Sequence, residues 1–183
     1  IIRFTEDLFW AGNTYSDFDE YQTEAYLTSD IDAFQSSIIL QDSSKKGQFL
    51  RALYLLESFR RGDLTTSEVF DADKLAKFIA ISDLLGAWHG NRFHNKRLYY
   101  NPITSKLEPI GFDGDGGRNN YSLLVYPQRA KYFLDHFHQE TIFNDQIFLE
   151  KYIRELERVS EPSYLDNLFS KIEDELVEKL NII

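Results

Sequence analysis

The densest group of side chains that can do chemistry lies in two short segments, residues 88–97 and 111–117. The first reads Trp-His-Gly-Asn-Arg-Phe-His-Asn-Lys-Arg, and the second reads Gly-Phe-Asp-Gly-Asp-Gly-Gly. Phosphoryl transfer needs a group that orients or deprotonates the acceptor, an amide and a carboxylate that hold a metal ion, and cations that offset phosphate charge. All of these residue types occur in the two segments, which therefore indicate phosphotransferase chemistry.

The order of these residues is that of a protein-kinase active site. In kinases an Asp and an Asn lie five apart on the catalytic loop, and a second Asp ligates the metal just before a glycine. Here His89 and Asn95 lie six apart, and Asp113 precedes Gly114. A neutral imidazole can accept a proton from an acceptor hydroxyl. His89, Asn95 and Asp113 are therefore the candidate catalytic residues.

Two amphipathic helices precede the first segment. Apolar residues at helical spacing predict a helix from the serine pair at 43–44 to Gly62. The next helix is predicted to be capped by Asp71 or Asp73 and to end at Gly86. Its inner face is predicted to carry Leu75, Phe78, Ile79, Ser82 and Leu85.

A small β-hairpin is predicted between the two segments. Residues 98–100 and 106–110 suit strands, and the Asn-Pro step at 101–102 favours a turn between them. A hairpin brings its two ends together, so residues 88–97 should lie beside residues 111–117.

The rest of the chain indicates helices. Residues 1–43 predict short helices and loops, since aromatic and acidic residues alternate there without a sustained period. Helical spacing returns at 132–137 and from Phe148 to Val159, and Pro162 suits the first turn of a last helix. No internal repeat or Gly/Ser-rich linker divides the 183 residues, which predicts a single, mostly helical α+β domain.

Composition excludes several classes of function. Thirty acidic and twenty basic residues give a net charge of −10, and Lys and Arg are spread singly, so nucleic acid is not an expected partner. The absence of cysteine excludes disulfides, thiolate metal sites and cysteine nucleophiles. No apolar run has the length of a membrane-spanning helix.

Several motifs together resemble the CotH (spore coat protein H) kinase family, over roughly residues 1–120. The motifs are those at 70–73, 83–88 and 98–100, with Asn95, Asp113 and Asp115. The resemblance implies an atypical protein-kinase-like fold, of which this chain would be the C-terminal lobe with its hairpin next to the active site. It further implies a secreted or cell-surface location and an ATP- and metal-dependent transfer of phosphate to Ser or Thr of a protein substrate.

The resemblance also implies roles for individual residues. Asn95 and Asp113 would hold Mg²⁺ or Mn²⁺ on the nucleotide phosphates, with Asp115 as a further ligand or as the residue that orients one. Where the family has Asp after tryptophan, this chain has His89 after Trp88.

Alternatives remain open for parts of this assignment. Three cations, Arg92, Lys96 and Arg97, could bind the phosphates of ATP or the substrate, or could balance the charge of an acidic loop. Residues 113–117 could form a polar tight turn or a structural calcium loop. Because of His89, the chain could also be a catalytically impaired, pseudokinase-like coat or surface protein.

One part of a kinase is missing from the pattern. No glycine-rich loop or strand lysine marks a lobe that covers ATP. The N-terminal nucleotide-binding lobe is therefore expected to lie outside these 183 residues.

Overall fold

The computed structural model describes residues 1–12, 18–114 and 139–180. Within these ranges the fold is α+β and mostly helical, as predicted, and its strands form one four-stranded antiparallel sheet. The finer assignment to a kinase-like lobe stays a prediction. Asp115 and the helical stretch predicted at 132–137 lie outside the described residues.

The elements are as follows. The sheet has the order β2-β1-β3-β4, with strands β1 (Ile2–Phe4), β2 (Ile31–Ala33), β3 (Arg97–Asn101) and β4 (Lys106–Ile110). The helices before the sheet's hairpin are α1 (Asp7–Gly12), α2 (Phe18–Thr28), α3 (Ser36–Gln41), α4 (Ser43–Arg60), α5 (Thr66–Val69) and α6 (Ala72–Leu85). Those after it are α7 (Gln139–Phe143), α8 (Gln146–Ser160) and α9 (Ser163–Leu180). Two 3-10 turns, Trp88–Asn91 and Phe93–Asn95, lie between α6 and β3.

The predicted hairpin is confirmed. β3 and β4 pair antiparallel, with Arg97 opposite Ile110 and Asn101 opposite Lys106. Asn101 stabilises the turn, because its Oδ1 accepts a hydrogen bond from the backbone N–H of Ile103 at 2.9 Å.

The sheet extends beyond the hairpin, which corrects the prediction of only helices and loops for residues 1–43. β1 pairs with β3 on one side and with β2 on the other. Ile2 and Phe4 on β1 are buried in the core. Strands of three residues are too short to show alternation, so their pairing is decided by tertiary contacts.

Helix α4 has a different cap from the one predicted. Asp42, not a serine at 43–44, caps it, with Oδ1 accepting from the backbone N–H groups of Ser44 at 2.9 Å and Lys45 at 3.1 Å. The predicted stop is confirmed, since the helix ends at Arg60 and Gly62 follows with a left-handed φ of 77°.

Helix α6 positions the start of the candidate site. Asp71 is its cap, accepting from the backbone N–H of Lys74 at 3.1 Å, and Gly86 ends it with a φ of 63°. Leu85 was wrongly placed on the inner face, because it is 53% exposed. The buried face consists of Leu75, Ala76, Ile79, Ala80 and Ser82. Helix α8 packs against α6.

The two last helices differ in burial. The predicted helix from Phe148 to Val159 is confirmed as α8, which buries Phe148, Tyr152 and Val159. The last helix is confirmed as α9, although none of its residues is buried among the described parts of the chain. In those parts, none of the helices combines the length and the apolar character needed to cross a membrane.

Asp145 ties α8 to α5. Its Oδ1 caps α8 by accepting from the backbone N–H groups of Ile147 and Phe148, and its Oδ2 accepts from the N–H of Ser67 at 2.6 Å. Burial acts to raise the pKa of Asp145, but the hydrogen bonds from Ser67 and Phe148 outweigh it and lower the pKa. The carboxylate therefore stabilises the fold while it is charged.

We expect Asp145→Ala to lower the free energy of unfolding by about 1–3 kcal/mol, because both the cap and the tie to Ser67 are lost. Asp145→Asn should lose less, since its amide oxygen can still cap α8. Urea denaturation measures both variants. Asp42→Ala, which removes an exposed cap from α4, is the control and should cost less; a loss equal to that of Asp145→Ala would contradict the role of Ser67.

Candidate active site

The connection between α6 and β3 is a buried loop. Phe93 is fully buried, and the polar residues His94, Asn95 and Lys96 are only 2%, 5% and 2% exposed. Loops usually run over the surface, since buried polar groups need partners inside the protein. The partners of these residues therefore define what the loop does.

His89, Asn95 and Asp113 meet beside the base of the hairpin. Asp113 Oδ2 lies 3.0 Å from His89 Nδ1 and accepts a hydrogen bond from Asn95 Nδ2 at 3.0 Å. Asn95 Nδ2 lies 3.3 Å from His89 Nδ1 and donates to the carbonyl oxygen of His89 at 3.2 Å. The structure thus brings together the three residues that the sequence pattern singles out, and their chemistry stays a prediction.

The contact with Asp113 favours one tautomer of His89. A carboxylate only accepts hydrogen bonds, so the short contact favours the tautomer of the neutral ring that has its proton on Nδ1 and its lone pair on Nε2. The side chains of His89 and Asp113 are 32% and 43% exposed, so a ligand can approach them from solvent. In this tautomer Nε2 is the atom that can accept a proton.

The backbone at Asp113 and Gly90 fixes this arrangement. Asp113 has a left-handed φ of 48°, a conformation that Asp and Asn tolerate better than most residues. A Cβ atom on Gly90 would lie 2.8 Å from the carbonyl oxygen of Phe112, closer than the two atoms can approach. Only glycine at position 90 lets the 3-10 turn lie this close to residues 112–114.

Lys96, one of the three predicted phosphate-binding cations, has partners within the protein. Lys96 Nζ donates to Asn91 Oδ1 at 2.6 Å and lies 4.7 Å from the ring centre of Phe78. Burial lowers the pKa of Lys96 to about 7. Arg92 is half-buried in the loop between the two 3-10 turns. Phosphate contacts by Lys96 and Arg92 stay predictions.

Arg97, the third cation, bridges the loop to the N-terminal part. Its Nη2 donates to Glu6 Oε1 at 2.8 Å, and Nη1 donates to the carbonyl oxygen of His94 at 2.7 Å. The guanidinium lies 4.3 Å from the ring centre of Phe112, just before Asp113. The predicted contact of Arg97 with phosphate also stays a prediction. In this structure the guanidinium of Arg97 supports the position of Phe112.

The predicted metal ligands are only partly described. Asn95 and Asp113 are adjacent, whereas Asp115 lies outside the described residues. In the described ranges, no three or more His, Cys, Asp or Glu side chains are grouped so that they could hold a metal ion. Among the described side chains, Asn95 is the amide next to Asp113 that could add a further oxygen ligand.

His94 is a supporting residue that the sequence pattern did not reveal. Its ring stacks on Phe9 of α1, with ring centres 3.5 Å apart and an angle of 24° between the planes. Burial first, and then the charges of Arg92, His89 and Arg97, lower the pKa of His94 to about 3. His94 is therefore a neutral packing residue beneath the candidate site. Its contact with α1 could not be predicted from the residues next to it in sequence.

The low pKa of His94 predicts a loss of stability in acid. Between the reference pKa of about 6.5 and the folded value, the unfolded chain binds a proton that the folded chain does not. As the pH is lowered through this range, the free energy of unfolding should fall by at most about 1.4 kcal/mol per pH unit, and by less where solvent screens the ring. His94→Phe should remove this component. Urea denaturation at pH 7, 6 and 5 checks it; equal pH dependence of both proteins would contradict it.

Other motif residues have structural partners in this chain. Asp83 Oδ2 accepts a hydrogen bond from the hydroxyl of Tyr152, which joins α6 to α8. Asp73 Oδ1 lies 2.6 Å from Lys151 Nζ, between the same two helices. These motif carboxylates hold α8 against the helix that leads into the site.

Comparison with known proteins finds no match to this chain among family models, curated proteins or solved structures. The resemblance to the CotH kinases therefore depends on the motifs alone. The candidate site is supported by the contacts among His89, Asn95 and Asp113.

Proposed function

We propose that this chain is part of a secreted or cell-surface protein kinase-like domain of the CotH type, which uses ATP and a divalent metal to phosphorylate Ser or Thr of a protein substrate. The observation that supports it best is the contact of Asp113 with both His89 and Asn95, across the hairpin, at 3.0 Å in each case. These residues are separated in sequence and are brought together by the fold.

The residues present suit the metal that a kinase needs. The amide oxygen of Asn95 and the carboxylate of Asp113 are hard ligands, which suit Mg²⁺ or Mn²⁺. When bound, the metal would offset the negative charge of the phosphates. A carboxylate has two oxygens, so Asp113 can accept from His89 through one and still offer the other as a ligand.

His89 is the proposed proton acceptor. With Nδ1–H donating to Asp113, Nε2 can take the proton of a Ser or Thr hydroxyl, and the carboxylate stabilises the imidazolium that forms. Asn95 keeps the loop in place, because its amide donates to the carbonyl oxygen of His89 as well as to Asp113.

A pseudokinase-like coat or surface protein is the second candidate. The observation that favours it is that Asp113 Oδ2 is already engaged by two neighbouring side chains, one of which is a histidine at the position of the family's aspartate. Such a protein would bind its partner or ligand without transferring phosphate.

The test is transfer of labelled phosphate from ATP to protein by the full-length protein, with Mn²⁺ or Mg²⁺. An active kinase should require the metal, and His89→Ala should lower its rate about 100-fold or more. A pseudokinase should bind ATP or metal without transfer, and His89→Asp should then create activity. A folded protein that shows neither transfer nor ATP binding would contradict the kinase proposal.

A further inference from the structure

Three polar atoms around Asp113 form a small triangle. His89 Nδ1 and Asn95 Nδ2 each lie 3.0 Å from Asp113 Oδ2, and they lie 3.3 Å from each other. Two ligand atoms that each lie about 2.1 Å from a cation are about 3.0 Å apart when the angle between them at the cation is a right angle. At the tetrahedral angle they are about 3.4 Å apart. The spacing of the three atoms, which here is that of hydrogen-bonded groups, therefore also fits three ligands on one face of a metal ion.

The side chains of His89, Asn95 and Asp113 can either hydrogen-bond to one another or bind a cation together. Rotating the Asn95 amide by half a turn exchanges Nδ2 for Oδ1, which replaces a hydrogen-bond donor with an acceptor. Moving the ring proton of His89 from Nδ1 to Nε2 exposes a lone pair on Nδ1. Both changes leave the positions of the heavy atoms nearly unchanged. The amide rotation gives up the hydrogen bond from Nδ2 to the carbonyl oxygen of His89, and binding of the cation would have to offset that loss.

We propose that His89 Nδ1, Asn95 Oδ1 and Asp113 Oδ2 bind one divalent cation together, and that the imidazole makes the site prefer Mn²⁺, Co²⁺ or Zn²⁺ to Mg²⁺. Imidazole is a good ligand for transition metals, whereas Mg²⁺ favours oxygen ligands and water. Co²⁺ and Zn²⁺ should bind more tightly than Mn²⁺, in the usual order for divalent metals.

This site adds a third ligand to the metal site of the proposed function, and it rests on that proposal for the roles of Asn95 and Asp113. The metal site gives His89 a different role. With Nδ1 on the cation, Nε2 carries the ring proton and cannot act as a base. The two roles of His89 exclude each other, so a metal titration distinguishes them.

The backbone pre-organises the three ligands. Gly90 allows the 3-10 turn to lie against residues 112–114, and Asp113 is held in a left-handed conformation. Asn95 is 5% exposed, so the surrounding protein holds its side chain at this point. Residues held in uncommon backbone conformations cluster at functional sites.

The test is isothermal titration calorimetry on chelator-treated, full-length protein with Mn²⁺, Co²⁺ and Mg²⁺ in turn, without nucleotide. Co²⁺ should bind at least about tenfold more tightly than Mg²⁺. His89→Ala should lower the Co²⁺ affinity at least about tenfold and remove the preference. His89→Asp should shift the preference toward Mg²⁺, because all ligands are then oxygen. Pulsed EPR of the Mn²⁺-loaded protein should show coupling to an imidazole nitrogen, absent in His89→Ala.

Asp63→Asn is the matched control. Asp63 is an exposed carboxylate paired with Arg61 after α4, so its variant should bind Co²⁺ as the wild type does. Equal affinities for Mg²⁺ and Co²⁺, or affinities unchanged by His89→Ala, would overturn the inference and leave the kinase proposal standing. Tight, His89-dependent Co²⁺ binding without ATP binding or phosphate transfer would uphold the inference and overturn the kinase proposal.

Discussion

Asp113→Asn is expected to reduce metal-dependent phosphate transfer about 100-fold or more while the protein stays folded. The substitution removes the negative charge that would hold the metal or, where His89 acts as the base, would stabilise its protonated form. Preorganised charges of this kind commonly contribute about two to three orders of magnitude in rate. Asparagine also tolerates the left-handed φ of 48° at this position. The backbone should therefore keep its path, and the change should report on charge alone.

The measurement is the rate of labelled phosphate transfer, with unfolding by urea as the check on stability. Asp113→Ala is a less suitable variant, since alanine adds strain at a positive φ. Asp63→Asn removes a surface carboxylate far from the hairpin in sequence and should transfer phosphate at the wild-type rate. An Asp113→Asn protein with undiminished transfer would show that Asp113 is not part of the machinery.

The sequence was most informative where local rules decide the structure. The Asn-Pro turn and two short strands predicted the hairpin of β3 and β4, and Gly86 predicted the end of α6. A hairpin brings its two ends together whatever the rest of the fold does. For this reason, the meeting of His89, Asn95 and Asp113 could be predicted without a tertiary model.

Contacts between distant segments could not be predicted. β1 is a strand because β2 and β3 lie beside it, and three residues carry no period of their own. His94 and Lys96 are polar residues of a loop, a class of residue that usually lies at the surface. Here the ring of His94 stacks on Phe9, and the ammonium of Lys96 lies over the ring of Phe78. Their burial depends on where α1 and α6 pack against the loop.

The same limit explains the error at Leu85. Helical spacing places it on the face of Ser82, but the face that α6 buries turns toward Ala76 and Ala80. Hydrophobicity alone favours a leucine over an alanine at a buried position. Small residues are buried where a neighbouring helix packs closely, and here that neighbour is α8.

Gly90→Ala is expected to disable the candidate site although it replaces none of the proposed ligands. The new Cβ would lie 2.8 Å from the carbonyl oxygen of Phe112, so either the 3-10 turn or residues 112–114 must move. Displacing a reacting group by about 1 Å can cost about 100-fold in rate. We expect Co²⁺ affinity to fall at least about tenfold, phosphate transfer to fall further, and the free energy of unfolding to fall by about 1–3 kcal/mol.

The chain offers two matched controls for this variant. A Cβ on Gly111, at the end of the same hairpin, would meet nothing within 4 Å, so Gly111→Ala should keep both metal affinity and transfer. Gly47 lies inside α4 with equally open space, and Gly47→Ala should raise helix stability. If Gly90→Ala behaves like Gly111→Ala, the close approach of the turn to Phe112 does not position Asp113. If Gly90→Ala is the one of these variants that loses metal affinity, the site requires the geometry of the turn as well as the ligands themselves.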